Sequence, residues 1–199
     1  MTRYLSPEEF LRSTILKMVQ PNAEEWEAFV SELNERPVKK NEVYLNEGEI
    51  CRKVAFIVQG CFKMYYIING EEYCKDFQFE GQFTGSVYSL LSQQPSRFFV
   101  AAIEDSLILE MSRDCLFRLY DQYKIWERLG RMYMEQNFIK KEAREASLLL
   151  DSSATRYKNL LQQHPDFFKR LPQKYIASFL GITTEYLSKL RRNKTARKS

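Results

Sequence analysis

A group of hydroxyl, carboxylate and cationic side chains lies close together near the end of the chain, between positions 184 and 194. Hydroxyls and carboxylates exchange hydrogen bonds with base edges, while Lys and Arg donate to guanine acceptors and to phosphates. This set of residue types therefore suits contact with a nucleic acid. The candidate residues are Thr184, Glu185, Ser188, Lys189, Arg191, Arg192 and Lys194.

The charge of the same region favours a polyanionic partner. From Lys169 to Ser199 there are nine Lys or Arg residues and a single acid, Glu185, which gives this segment a net charge of +8. The whole chain carries +4, so the residues before Lys169 carry −4. An acidic body with a basic end is typical of a chain whose end meets a polyanion, although a solvated basic tail has the same composition.

The segment that contains these residues has the spacing of a helix-turn-helix. Counted from Gln173, Ala177 is the fifth residue, where two helices approach most closely, and Gly181 is the ninth, where the turn needs a positive φ. Thr183 can cap the second helix. A plain helical hairpin with a solvated charged face is the alternative. The small core of the pair is predicted to contain Ile176, Leu180, Ile182, Leu187 and Leu190.

The elements that must position this motif change in character twice along the chain. Ser6 and Asn22 are each followed three residues later by Glu, as in helix capping boxes. From about Val38, short β-branched and aromatic runs alternate with Gly and Asn, and Asn69-Gly70 is a hairpin signal. The pattern is helical again from Arg113. We predict an α+β chain, with an antiparallel β-roll (jelly-roll), flanking helices, a long helix and a C-terminal (winged) helix-turn-helix domain.

The long helix begins near Lys124, and its apolar residues alternate steps of four and three. This spacing is typical of an a/d heptad seam and predicts a parallel homodimer. Packing of the same face on the chain's own β domain is the alternative, and both can hold at different levels of one helix. The predicted domains are 1–122, 123–153 and 154–199. The seam residues are Ile125, Leu129, Met132, Gln136, Ile139, Ala143, Ala146 and Leu150.

Other compositional features argue against several classes of protein. The four cysteines form no C-x-x-C pair and His164 is the single histidine, so we expect no metal site and no cofactor. The start of the chain lacks an apolar signal core, and no run approaches the roughly 18 apolar residues of a membrane span. We therefore expect a soluble, cytoplasmic protein without a membrane partner. Neither a Ser/His/Asp set nor a Gly-rich phosphate loop is present, so we do not expect an enzyme.

Two stretches, "IASFLGITTEYLSKLRR" and "LNEGEICRKVAFIVQGCFKMYY", carry a resemblance to a known family. With the order of roll, long helix and helix pair, the chain resembles the catabolite activator and fumarate–nitrate regulator family of bacterial transcription factors. The resemblance implies a cyclic-nucleotide-binding-like roll and a homodimer on a palindromic double-stranded DNA site. It also implies that Glu185 and Lys189 read bases, and it makes RNA polymerase a candidate partner.

The effector cassette departs from the family's pattern. Cyclic-nucleotide-binding members open the cassette with Gly-Glu and close it with Arg-Ser/Thr-Ala, whereas here Ser86 follows Gly85 and Arg97 stands one place late. On a strand, one place turns a side chain to the other face. We therefore expect no cyclic AMP binding of the usual kind, and the small-molecule effector is left unidentified. The cassette candidates are Gly85, Ser86, Val87, Ser96 and Arg97.

The same residues leave a second function open. A cyclic-nucleotide-like regulatory module could act on a protein partner and use its C-terminal helices for docking. A DNA complex weakens steeply with salt because phosphate contacts release counterions, whereas an apolar docking face does not. DNA-binding regulation is the leading prediction because spacing, turn glycine, cap and charge agree.

Overall fold

The computed structural model describes residues 5–195, with side chains as far as residue 192. The chain divides into two compact units. The first contains the residues up to Met64 and Phe77–Gln136, and the second contains Tyr65–Asp76 and the residues from Asn137 onward. These divisions fall at other points than the predicted boundaries at 122 and 153, which stay predictions.

Two short helices open the first unit, and each begins with the capping box that the sequence predicts. Helix α1 is Pro7–Ile15 and helix α2 is Ala23–Val30. The Ser6 hydroxyl accepts from the N–H of Glu9 at 3.2 Å, and the Glu9 carboxylate accepts from the N–H of Ser6 at 2.8 Å. Asn22 and Glu25 repeat the exchange. The caps satisfy backbone donors that a helix start leaves unpaired, which is why the helices begin at these residues.

Within residues 5–195, eight strands form the roll predicted from the β-branched and aromatic runs. They pair into two four-stranded sheets, with the orders β1-β8-β3-β6 and β2-β7-β4-β5. Pro37 is tolerated in β1 because β1 is an edge strand. The strands are β1 Asn34–Val38, β2 Val43–Leu45, β3 Lys53–Gln59, β4 Phe62–Ile68, β5 Glu71–Gln78, β6 Phe83–Thr84, β7 Phe99–Ala102 and β8 Ser106–Ser112.

The turn between β4 and β5 confirms the hairpin signal. Asn69 has φ +53° and Gly70 has φ +84°, so both turn residues occupy the left-handed region that Asn-Gly favours. The strand ends and turn from Tyr65 to Asp76 belong to the second unit. We call Tyr65–Asp76 the hairpin segment.

Three further helices complete the chain of the first unit: α3 Val87–Ser92, α4 Arg113–Gln122 and the start of α5, which is Lys124–Leu150. One hydrophobic cluster of the first unit joins residues of strands β3 and β8 to helices α1, α2, α4 and α5. Trp126 of α5 is 1% exposed and stacks on Phe29 of α2, with ring centroids 4.3 Å apart. Such burial of large rings is the main term that holds the helices to the sheet.

The second unit is helical after α5, with α6 Ser153–Gln163, α7 Phe167–Arg170, α8 Gln173–Leu180 and α9 Thr184–Thr195. Ser152 caps the start of α6, and His164, which precedes Pro165, is the cap residue at its end. A winged helix-turn-helix has a β-hairpin beside its two helices. No strand follows β8 within residues 113–195, so no such hairpin is present in that range. The short helix α7 connects α6 to α8.

Candidate nucleic-acid interface

Helices α8 and α9 form the helix-turn-helix that the sequence predicts. Gly181 ends α8 with φ +66°, and the N–H of Ile182 donates to the carbonyl of Ala177 at 3.0 Å. This left-handed turn needs a glycine because a Cβ disfavours positive φ. Ala177 and Leu187 are 1% and 0% exposed, so the small fifth residue and the fifteenth lie at the contact between the helices.

The start of α9 is held by hydroxyls. The Thr183 hydroxyl accepts from the N–H of Tyr186 at 3.2 Å, which confirms the predicted cap. The Thr184 hydroxyl donates to the Glu185 carboxylate at 3.2 Å. The N–H of Glu185 itself, followed by the Thr183 and Thr184 hydroxyls, lowers the pKa of the Glu185 carboxyl from its ordinary value. An ionised carboxylate in this place is a hydrogen-bond acceptor only.

The outer face of α9 brings most of the candidate residues together. At 100° per residue, Thr184, Glu185, Ser188, Lys189 and Arg192 fall within an arc of about 140°. All are exposed except Ser188, which is half-buried and donates its hydroxyl to the carbonyl of Thr184 at 2.9 Å. Arg191 is exposed at the margin of this arc. The Lys194 side chain lies outside the described residues.

Two arginines that sequence reasoning missed hold the end of α8. Arg144 of α5 donates to the carbonyl of Phe179 at 2.7 Å, and its guanidinium lies 3.6 Å from the centroid of the Phe179 ring. Arg156 of α6 donates through Nε to the carbonyl of Leu180 at 3.1 Å. Cations favour the carbonyl end of a helix. No local pattern in the sequence marks these contacts, which join residues 24 and 35 positions apart.

Polar groups at the start of the effector cassette form hydrogen bonds with one another and with Cys51. Ser86 is fully buried and caps α3, where its hydroxyl accepts from the N–H of Ser89 at 3.4 Å. The Ser89 hydroxyl in turn accepts from the N–H of Cys51 at 2.8 Å and donates to the carbonyl of Gln94 at 2.6 Å. Burial raises the pKa of the neighbouring Cys51 thiol above its ordinary value. The hydroxyls of Ser86 and Ser89 therefore have hydrogen-bond partners within the protein.

The cationic residue at the far end of the cassette, Arg97, is exposed to solvent. Arg97 is exposed, whereas Ser96 and Phe98 on either side of it are 2% and 6% exposed. The Ser96 hydroxyl donates to the carbonyl of Phe98 at 2.8 Å. Gly85 has φ +132°, and Val87 is 37% exposed on the outer side of α3. At this end of the cassette the cation is therefore exposed, while the residues on either side of it are buried.

The predicted seam on α5 divides into two parts. Leu129 is 7% exposed, and Ile125 and Met132 are partly buried against the same core cluster, so these three residues pack on their own unit. For these three residues the alternative of packing on the chain's own β domain is observed, and their place in a dimer seam stays a prediction. The remaining seam residues are exposed, with Ile139 at 67% and Leu150 at 83%. The exposed set is Gln136, Ile139, Ala143, Ala146 and Leu150.

Two further observations concern the described residues only. Residues 5–192 contain no group of three or more His, Cys, Asp or Glu side chains placed to hold a metal ion. None of the helices in that stretch is long and apolar enough to cross a membrane.

Comparison with known proteins places the fold. Residues 35–123 match the family described as the cyclic nucleotide-binding domain. FixK2 from Bradyrhizobium japonicum has 18% identity and a TM-score of 0.74, over 83% of this chain and 86% of that one. The c-di-GMP responsive global regulator CLP from Xanthomonas campestris has 13% identity and a TM-score of 0.68, over 89% and 93%.

A third structure, the catabolite activator protein of Thermus thermophilus, has 15% identity and a TM-score of 0.58, over 93% of this chain and 88% of that one. Among curated proteins none matches the sequence. Each similar structure combines high coverage with low identity, so the likeness concerns the fold. Residues 35–123 are therefore similar to the cyclic nucleotide-binding domain, and the chain shares its fold with FixK2 and the catabolite activator protein.

Proposed function

We propose that the chain is a sequence-specific DNA-binding transcription regulator that acts as a homodimer, and that it is not an enzyme. The observation that carries the proposal is the outer face of α9, where hydroxyls, a carboxylate and cations are exposed together on a helix that packs through Leu187. A recognition helix needs this division, with one face buried against its partner helix and the other free to enter the major groove. The fold shared with FixK2 and the catabolite activator protein supports it.

Dimerisation is the second part of the proposal. The exposed line from Gln136 to Leu150 presents Ile139 and Leu150 to solvent in a single protomer. An apolar line at heptad spacing is stable when a second copy covers it. A two-fold dimer would present one α9 to each half of a palindromic site.

The third part of the proposal concerns the effector. Ser86 cannot supply the carboxylate that the family pattern places on a ribose hydroxyl, and Arg97 is exposed away from the buried residues beside it. We infer that the roll does not take cyclic AMP in the usual way. The regulator is then controlled by a different effector or by none.

Selection of bound duplexes from random double-stranded DNA tests the function directly. We expect enrichment of a palindrome whose half-sites lie roughly 34 Å apart, one helical turn. The affinity for that palindrome should fall steeply as salt rises. Recovery of unrelated duplexes, with an affinity that salt does not change, would contradict the proposal and favour a module that docks on a protein.

A further inference from the structure

Ser178 joins helix α8 to the hairpin segment. Its hydroxyl accepts from the N–H of Cys74 at 2.8 Å and donates to the carbonyl of Glu72 at 3.3 Å. An N–H and the carbonyl two residues before it point to the same side of a strand, and β5 is the edge strand of its sheet. Ser178 therefore bonds backbone groups on the outward side of an edge strand.

The two residues after Ser178 are held by other parts of the chain. Arg144 of α5 bonds the carbonyl of Phe179, and Arg156 of α6 bonds the carbonyl of Leu180. Three consecutive residues of α8 thus have partners on three segments: the hairpin segment, α5 and α6. Because α5 and α6 are consecutive helices, the hairpin segment is the anchor that reaches α8 from a distant part of the sequence.

The orientation of α9 follows from that of α8. Ile176, Ala177 and Leu187 are at most 1% exposed, so the two helices are packed closely across the Gly181 turn. Packed interiors resist deformation, so a rotation of α8 carries α9 with it. Without the Ser178 bonds, α8 would keep its bonds to Arg144 and Arg156 and its packing on α6 and α7, but it would lose these hydrogen bonds to the hairpin segment.

We propose that Ser178 is a positioning residue for DNA recognition. Its two hydrogen bonds to the hairpin segment set the orientation of α9. In a dimer, this orientation determines the spacing between half-sites that both α9 helices can contact at once. Only the consequence for DNA rests on the proposed function.

A distance measurement without DNA tests the positioning. Spin labels are placed on Cys residues introduced at the exposed positions Glu71 and Lys189, in a chain whose partly exposed Cys115 is changed to Ser. Ser178→Thr keeps the hydroxyl, and Ser178→Val replaces it with a methyl group of similar size. We expect a narrow distance distribution for the wild type and Ser178→Thr and a broader one for Ser178→Val. Equal distributions for Thr and Val would overturn the proposal.

A spacing series tests the consequence for DNA. Duplexes carry the selected half-site once, or twice with the spacer lengthened or shortened by one base pair. We expect wild type and Ser178→Thr to prefer the selected spacing by about tenfold and Ser178→Val to lose most of that preference. The affinity of all three for the single half-site should agree within about twofold.

An equal loss by Ser178→Val on every duplex, the single half-site included, would overturn the positioning role, because the hydroxyl would then serve only the stability of the helix pair. If the wild type binds none of the duplexes, the proposed function fails. The spin-label distances then still decide whether Ser178 orients α9.

Discussion

At the scale of single residues, the cations on the outer face of α9 differ in their distance from the start of the helix. Lys189 lies nearer to the start than Arg192. Lys189 follows Thr184 by five residues, and Arg192 follows it by eight, about 12 Å along the helix axis. The first residues of a recognition helix contact base edges, and later ones leave the groove toward phosphates. Lys189 can donate to guanine O6 and N7, and the ionised Glu185 can accept from the cytosine amino group.

These two classes predict different losses. Lys189→Ala should cost about 1–3 kcal/mol on the best site and relax the preference at one base pair. Arg192→Ala should weaken all sequences by a similar factor and lower the salt slope by about one unit. Titration of matched and mismatched duplexes at several salt concentrations measures both. An equal loss on every duplex for Lys189→Ala would make Lys189 a phosphate contact.

The cassette gives a second prediction at this scale. Cyclic AMP at millimolar concentration should leave the melting temperature unchanged, because Ser86 is buried as a helix cap and Arg97 faces solvent. A ligand present at a hundredfold excess over its dissociation constant would stabilise the fold by ~3 kcal/mol, which thermal unfolding would detect. Arg97→Ala should behave like the wild type. A clear upward shift of the wild type alone would show that Arg97 holds the nucleotide.

At the scale of elements, α5 shows what a heptad pattern can and cannot specify. Steps of four and three define a face of a helix, but they do not name the surface that covers it. Ile125, Leu129 and Met132 meet the core of their own unit, and Ile139 and Leu150 on the same face are exposed. One helix therefore serves an intramolecular core at its start and offers an uncovered line beyond Gln136.

This division predicts opposite outcomes for one substitution at two levels of α5. Ile139→Lys should leave the folded protomer within about 0.5 kcal/mol of wild-type stability, because the side chain is exposed there. It should nevertheless make the protein monomeric, since two like charges would meet in an apolar seam. Leu129→Lys should destabilise the protomer by roughly 4 kcal/mol, because it buries an unpaired charge.

Sedimentation and thermal unfolding distinguish these outcomes. The pair of variants serves as its own control, since both place the same charge on the same face of the same helix. A wild type that sediments as a monomer at micromolar concentration would contradict the seam. An equal loss of thermal stability for both variants would contradict the division of the helix.

The turn of the helix pair gives a second element-scale prediction. Gly181 has φ +66°, and a Cβ there would find no atom nearer than 3.9 Å, on Arg156. Gly181→Ala therefore meets no steric obstacle and should cost only the conformational penalty of a left-handed residue, about 1 kcal/mol. Gly60→Ala is different, because its Cβ would lie 2.0 Å from the Ser106 hydroxyl oxygen. Thermal unfolding should show the larger loss for Gly60→Ala, and the reverse order would contradict this comparison.

At the scale of the whole molecule, the sequence was most informative where the physics is local. The capping boxes at Ser6 and Asn22, the Asn69-Gly70 turn and the Gly181 turn each depend on residues within a few positions, and each is confirmed. Contacts such as Ser178 with Cys74 join residues 104 positions apart, and no pattern of either segment encodes its partner. The exposed polar face of α9 could therefore be predicted, but the long-range contacts that hold the helix pair could not.

The dimer and the DNA site together give a prediction that belongs to the whole molecule. A two-fold dimer binds its second half-site as an intramolecular step, so a palindrome should bind more tightly than a single half-site by on the order of 10²-fold. Ile139→Lys leaves the α9 surface intact but should remove this advantage, because each monomer engages one half-site alone. The expected result is equal affinity of that variant for palindrome and half-site, at the wild-type half-site level. Competition between the two duplexes measures it, with Arg97→Ala as a charge-changed variant that keeps the preference. A palindrome preference that survives Ile139→Lys in a monomeric protein would show that the two copies meet elsewhere than the line from Gln136 to Leu150.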